Sequence, residues 1–200
     1  MSTSPTPTRS VTTWWLEQTS PSDLVPAART PAPEAGVRVA RAAVPSPEFS
    51  RFLYTAVGQD VTWTDRLGWD AARWRAFLGR PGVETWVAYE HDTPAGFLEL
   101  DPGPDGAVEV SYFGLLPAFR GRGLGGLLLA EGVARAWDLT RRWPGVPATR
   151  RVWLHTCSKD GPHALANYRR RGFRVYDTTR AEEPVVATPG PWPGAAVDES

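Results

Sequence analysis

Three strand-like segments follow one another so closely between residues 84 and 115 that they can pair only as an antiparallel meander. Residues 84–90 (ETWVAYE), 95–100 (AGFLEL) and 107–115 (AVEVSYFGL) are rich in apolar, β-branched and aromatic side chains. Their connections, Asp92-Thr93-Pro94 and 101–106, have no room for the crossover a parallel pair requires. Helical patterns flank this block. Ser46-Pro47 opens one, with Ser as cap, Pro at the first helical position, and Phe52, Leu53 and Ala56 on one face. Asp70 caps a second, over 70–78. A third covers 124–142, with Leu127, Ala130, Ala134 and Trp137 on one face. It carries Gly132, which weakens it by roughly 1 kcal/mol relative to Ala. Residues 11–18, 37–42, 151–157 and 173–176 read as further strands, and 162–171 as a short helix. The sum is an α+β fold, a mixed but mostly antiparallel twisted sheet of six to seven strands flanked by helices.

Apolar residues form 42% of the chain and charged residues 22%, which suits a packed domain. The expected organisation is a loose tail over 1–10, one domain over 11–180, and a Pro/Gly-rich loose tail over 181–200. Basic and acidic residues number 22 each, so net charge argues for neither nucleic acid nor an anionic membrane as partner. The local basic run Arg169-Arg170-Arg171 stands out against that balance. No apolar stretch reaches the ~18 residues of a membrane span, and 1–10 lacks the apolar core of a secretory signal. The single cysteine, Cys157, allows no internal disulfide and fits a reducing, cytoplasmic compartment. A homodimer is compatible with the sequence. Three His and one Cys show no metal-ligand spacing, so no metal is expected. His155 and Cys157 end the 151–157 strand, and Cys157 reads as a buried free thiol rather than a nucleophile.

The segment Arg120-Gly121-Arg122-Gly123-Leu124-Gly125-Gly126 carries the functional argument. It joins a strand to a helix. Glycine lets the backbone approach a ligand without a Cβ in the way, and the helix N-terminus offers free N–H groups and a favourable dipole. Together they make a diphosphate cradle, with Arg120 and Arg122 as cationic donors beside it. An ordinary turn does not need four glycines in six positions, which are costly to order. Gly121-x-Gly123-x-x-Gly126 also satisfies a dinucleotide-binding pattern. That reading wants βαβ crossovers and an acidic residue ending the next strand, where this chain has Ser158-Lys159. A Walker loop fails because no Gly-Lys-Ser/Thr follows.

Arg120-x-x-Gly123-x-Gly125 behind a strand ending in Leu115-x-Pro117 resembles the signature of the GNAT superfamily of N-acetyltransferases. Tyr168-Arg169-Arg170-Arg171-Gly172-Phe173 resembles that superfamily's late Y-x-x-x-G-F element. The order of elements agrees from about 37 to 176, and residues 154–160 are similar to those of a bacterial subgroup. The resemblance implies acetyl-CoA as co-substrate. Backbone N–H groups from Arg122 to Gly126 would hold its diphosphate, and backbone groups of Phe113 and Leu115 its pantetheine, where the family's strand splays. It places a catalytic carboxylate at Glu109, as general base, and the general acid at Tyr168. Glu99 competes for the base role, and Asp101 more weakly; a solvated strand glutamate or a core tyrosine would look the same in sequence. Many members carry Asn seven residues before that Tyr; here Gly161 stands there, and Asn167 is no positional match.

The segment 61–78 would line the acceptor side. Its Trp63, Asp65, Trp69 and Trp74 offer aromatic faces and a carboxylate to a cationic amine, though the same Trp residues could simply fill a core. The reading is transfer of acetyl to a primary amine of a small molecule. Its rivals are an acceptor on protein or peptide N-termini, a non-catalytic acyl-CoA sensor that dispenses with Glu109 and Tyr168, and a nicotinamide-dinucleotide binder.

Overall fold

Strand-forming residues dominate the architecture. The computed structural model describes residues 7–28 and 36–185; the rest of the expected tails, and residues 29–35, lie outside the described residues. Seven strands form one sheet: β1 (Thr8–Gln18), β2 (Val37–Arg41), β3 (Glu84–Glu90), β4 (Thr93–Pro102), β5 (Ala107–Leu115), β6 (Arg151–Cys157) and β7 (Arg174–Pro184). Their spatial order is β2-β3-β4-β5-β6-β1-β7. Every neighbouring pair is antiparallel except β5 and β6. The expected meander is β3-β4-β5. Its first turn is tighter than expected, with His91 and Asp92 both at positive φ (45° and 62°) and the strand already resumed at Thr93.

The ends of the chain correct the expected tails. β1 begins at Thr8 and β7 runs to Pro184, with Arg9 opposite Glu183 and Ser10 opposite Glu182. A segment with no core-forming pattern of its own gains its order from ladder hydrogen bonds to the other end of the chain. β1 thereby lies between β6 and β7, with Val11 and Leu16 buried.

Helices α1 (Pro47–Gly58) and α2 (Ala71–Leu78) cover one face of β3-β5, and α3 (Leu124–Trp137) and α4 (Ala164–Arg170) lie on the other side. Ser46 and Asp70 cap α1 and α2 by accepting from the N–H groups of Phe49 and Arg73, as their side chains suggest. On α1 the buried face is Leu53, Ala56 and Val57; Phe52, expected there, is 44% exposed and stacks on Phe49 instead. On α3 the buried face is Leu124, Leu128, Leu129, Val133 and Ala136, and Ala130, expected there, is buried too. Leu127, Ala134 and Trp137 flank it half-buried, because one residue of phase turns a helix by about 100°. The helix also ends five residues early, and a 3-10 turn over Leu139–Arg141 follows.

Gly132 faces the sheet. A Cβ there would lie 2.6 Å from both methyl carbons of Leu98, itself fully buried. Gly132→Ala should therefore forfeit the usual helical gain of about 1 kcal/mol and cost about 1–3 kcal/mol by overpacking. A lower urea midpoint is expected; a raised midpoint would show that Leu98 has room to turn.

Candidate active site

β5 is the strand on which the site is built. It pairs with β4 along its length, from Pro102 opposite Val108 to Gly96 opposite Leu115. On its other edge it pairs with β6 only from Ala107 to Glu109. The parting coincides with a bulge: Glu99 faces Tyr112 and Leu100 faces Val110, so Ser111 has no partner opposite it. A bulge bends its strand and sharpens the twist, which carries the second half of β5 away from β6. Leu116 N–H donates to the carbonyl of Ala95 at 2.9 Å. Backbone direction alternates along a strand, so the N–H and C=O groups of Leu115 and Phe113 point into the opening. The Leu115 carbonyl already accepts from Arg120 Nε at 3.1 Å.

A short 3-10 turn over Pro117–Phe119 leads from β5 into the Gly-rich loop. Gly121 and Gly123 have φ of 75° and 84°, backbone that side chains oppose, and Gly123 sits directly before α3. A Cβ at either would meet nothing within 4 Å, so open space lies over the loop. The side chain of Leu124 anchors the loop in the core, while the first N–H groups of α3 have no helical acceptor. These features fit a diphosphate held by backbone.

The two loop arginines do not point freely at such a ligand. Arg120 forms a two-point ion pair with Asp60 at the end of α1, its Nη2 lying 3.0 Å from Oδ1. Burial pushes Asp60 up, but its hydrogen bond and charge pairing with Arg120 outweigh this and hold its carboxyl below the usual range. Arg122 pairs with Glu90. Both side chains brace the loop against neighbouring elements. A cation not singled out for this loop lies closer to the first turn of α3: Arg171, whose Nη2 is 3.0 Å from where a Cβ on Gly126 would be. Its Nη1 donates to the Pro26 carbonyl at 2.6 Å. The basic run of residues 169–171 was its only trace in the sequence.

Three carboxylates share the α1/α2 face of the sheet beside the parting. Glu99 is 2% exposed and locked to Arg66, with N–O distances of 2.8 and 2.9 Å. Asp101 pairs with Arg80. Glu109, directly across from Asp101, holds no arginine among the described residues; the nearest basic atom is His155 Nδ1 at 3.7 Å. Burial first, and then the charges of Asp101 and Glu99, raise its carboxyl to about 7, with Arg66 offsetting part of the rise.

Tyr168, on α4, packs edge-on against Phe113 of β5 (ring centroids 6.0 Å apart) and Phe173 (6.2 Å). Its ring therefore packs on β5 beyond the point where β5 and β6 part. Burial and then the charge of Asp160 raise its hydroxyl, which stays protonated at neutral pH. Among the described residues that hydroxyl makes no hydrogen bond. At Gly161, where a Cβ would meet nothing within 4 Å, packing does not demand glycine.

The residues expected to receive the acceptor are largely engaged. The guanidinium of Arg66 sits over the rings of Trp69 (4.6 Å), Phe77 (4.3 Å) and Tyr112 (4.5 Å), so the aromatic box on this segment already holds a cation of the chain. Trp63 stacks edge-on with Tyr112 and Phe97, and Trp74 is buried. Asp65 is exposed and accepts from Tyr112 Oη at 3.1 Å. Cys157 is half-buried, and burial pushes its thiol up, away from nucleophilic use. Among the described residues no group of three His, Cys, Asp or Glu could hold a metal, and no helix is long and apolar enough to cross a membrane.

Known structures share this architecture. A GCN5-related N-acetyltransferase from Kribbella flavida superposes with a TM-score of 0.59 at 23% identity, covering 88% of this chain and 59% of that one. Another from Sphaerobacter thermophilus gives 0.60 at 24%, covering 92% and 56%. An aminoglycoside acetyltransferase from an uncultured soil metagenomic sample gives 0.51 at 15%, covering 67% and 86%. The chain thus spans less than two thirds of the length of the first two structures. No curated protein sequence matches it. The sequence model of the acetyltransferase (GNAT) family matches residues 47–173, a stretch that runs from the start of α1 through the parted strands and the Gly-rich loop to Phe173. With more than half of its length matched, and that half containing the parting, the loop and Tyr168, the chain belongs to the GNAT family of acetyltransferases.

Proposed function

We propose that the protein transfers the acetyl group of acetyl-CoA to a primary amine of a small molecule. The observation that carries this is Glu109. It lies where β5 leaves β6, and of the three carboxylates on its face it is the one without an arginine among the described residues. A carboxyl raised to about 7 is matched to taking a proton from an ammonium near neutral pH. Glu109 takes that proton, directly or through water. The freed amine attacks the thioester carbonyl and forms the C–N bond. As the C–S bond breaks, Tyr168 gives its proton to the departing sulfur, and the nitrogen loses its second proton to the tyrosinate through water, which leaves a neutral amide, free CoA thiol and Tyr168 protonated again. The backbone of Phe113 and the loop from Arg122 to Gly126 would hold the co-substrate. The lone cysteine supports a reducing, cytoplasmic setting.

Thermal unfolding with acetyl-CoA, and with NADH as control, tests the co-substrate. At ~100 times its dissociation constant a ligand stabilises the fold by about 2.7 kcal/mol, a shift of several degrees for a chain of this size. A shift with acetyl-CoA alone supports the reading, and a shift with neither removes it.

Tyr168→Phe tests the acid. Phe keeps the packing against Phe113 and Phe173, so the unfolding midpoint should hold while kcat falls roughly 100-fold. Unchanged kcat would return Tyr168 to the core.

A further inference from the structure

Among the described residues, helices α1 and α2 cover the sheet face over β3-β5, and no helix covers it beyond β5. On β6 and β1 the open part carries three rings, two of them beside Glu109. Trp153 lies directly across from Glu109, and Trp15 directly across from His155. Trp15 stacks on Trp153 with centroids 6.0 Å apart and planes inclined by 28°, and lies tilted against His155 at 5.1 Å. The two indoles are half-buried, and the His155 side chain is 47% exposed. Burial holds the imidazole below its usual range against the pull of Asp160 and Asp65, so it brings no positive charge at neutral pH. The rings therefore form an aromatic shelf, edged at Trp153 by the Arg151–Glu17 ion pair (Arg151 Cζ 6.0 Å from the Trp153 ring centre), that is continuous with an acidic corner formed by Glu109, Asp101 and the exposed Asp65.

We propose that the Trp15–Trp153–His155 shelf is the acceptor subsite, and that it takes an amine whose ammonium is borne on a short linker from an aromatic ring. This rests on Glu109 being the base. The ring lies on the indoles, where stacking rewards a flat body, and the ammonium reaches the carboxylate corner. An unbranched alkylamine gains the corner but not the stack. Trp15 lies outside the residues matched by the family model, so β1 adds a specificity element of this chain's own to the family's parted strands.

The test is CoA release with saturating acetyl-CoA and four amines: 2-phenylethylamine, tryptamine, n-hexylamine and putrescine. The aromatic pair should have the higher kcat/KM. Trp15→Ala and Trp153→Leu should each raise KM for them by roughly tenfold, Trp15→Phe should restore it, and KM for acetyl-CoA should not move. Two variants on different strands, with unfolding midpoints recorded, separate a lost subsite from a lost fold. Equal use of all four amines with neutral Trp variants overturns the shelf, while loss of turnover in Glu109→Gln would leave the base in place. If no amine turns over, saturation-transfer NMR of 2-phenylethylamine with CoA present decides: a signal lost in Trp15→Ala upholds the subsite, and no signal in the wild type overturns it. A Trp15→Ala variant that halves the mass in solution with unaltered amine kinetics gives the face to a second copy instead.

Discussion

Glu109→Gln should lower kcat/KM for acetyl transfer by about 10²–10⁴, the usual contribution of a positioned base. The pH profile changes with it. In the wild type kcat/KM should rise with pH and level off above about 7, as Glu109 ionises in the free enzyme. In the variant that acid limb should disappear. Stability moves the other way, which separates chemistry from folding. The folded-state value of about 7 lies above the ordinary 4.5, so between these values the native state binds more protons than the unfolded one, and stability falls as pH rises through that window. Above it the wild type carries a buried charge that Gln lacks. Glu109→Gln should therefore unfold at a higher temperature than wild type at pH 8 and at the same temperature near pH 4, by about 2–4 °C per kcal/mol relieved. Wild-type turnover with an intact acid limb in the variant would assign the base elsewhere.

The parts of this site that were legible in sequence are those written in consecutive residues. The caps Ser46 and Asp70, the meander and the Gly-rich loop each depend on neighbours within a few positions. Glu109 and Tyr168 were singled out as candidates through a motif resemblance, because each sits at a fixed offset from a local signal. What could not be read came from pairing across the chain. Arg66 sits in a polar stretch (TDRLG), yet it is 7% exposed because Glu99, a strand away, neutralises it. Trp15 and His155 are 140 residues apart and become neighbours only when β1 enters beside β6. The order of Thr8 to Ser10 likewise depends on β7, whose own residues are almost all exposed and show no core face. The phase of α3 was misjudged because Leu127 and Trp137 are apolar enough to pass for core, while the small Gly132 marks the side that meets the sheet.

Removing the Arg66 side chain should be the most damaging single change away from the parted strands. A buried ion pair that loses one partner leaves an uncompensated charge and costs about 3–5 kcal/mol. Arg66 also gives up its place over Trp69, Phe77 and Tyr112. Arg66→Ala should lower the thermal midpoint by about 10 °C or more. The double change Arg66→Met with Glu99→Leu should recover most of it, since an apolar pair of similar volume needs no desolvation. The same pair reaches the chemistry. Glu99 raises the Glu109 carboxyl and Arg66 lowers it, so their opposed charges now partly cancel at that atom. Glu99→Gln should move the acid limb of kcat/KM below about 7. Arg66→Met, read well below its own midpoint, should move it above. Opposite displacements would tie the buried pair to the base through its field, whereas a loss of activity with an unmoved limb would confine Arg66 to holding the fold.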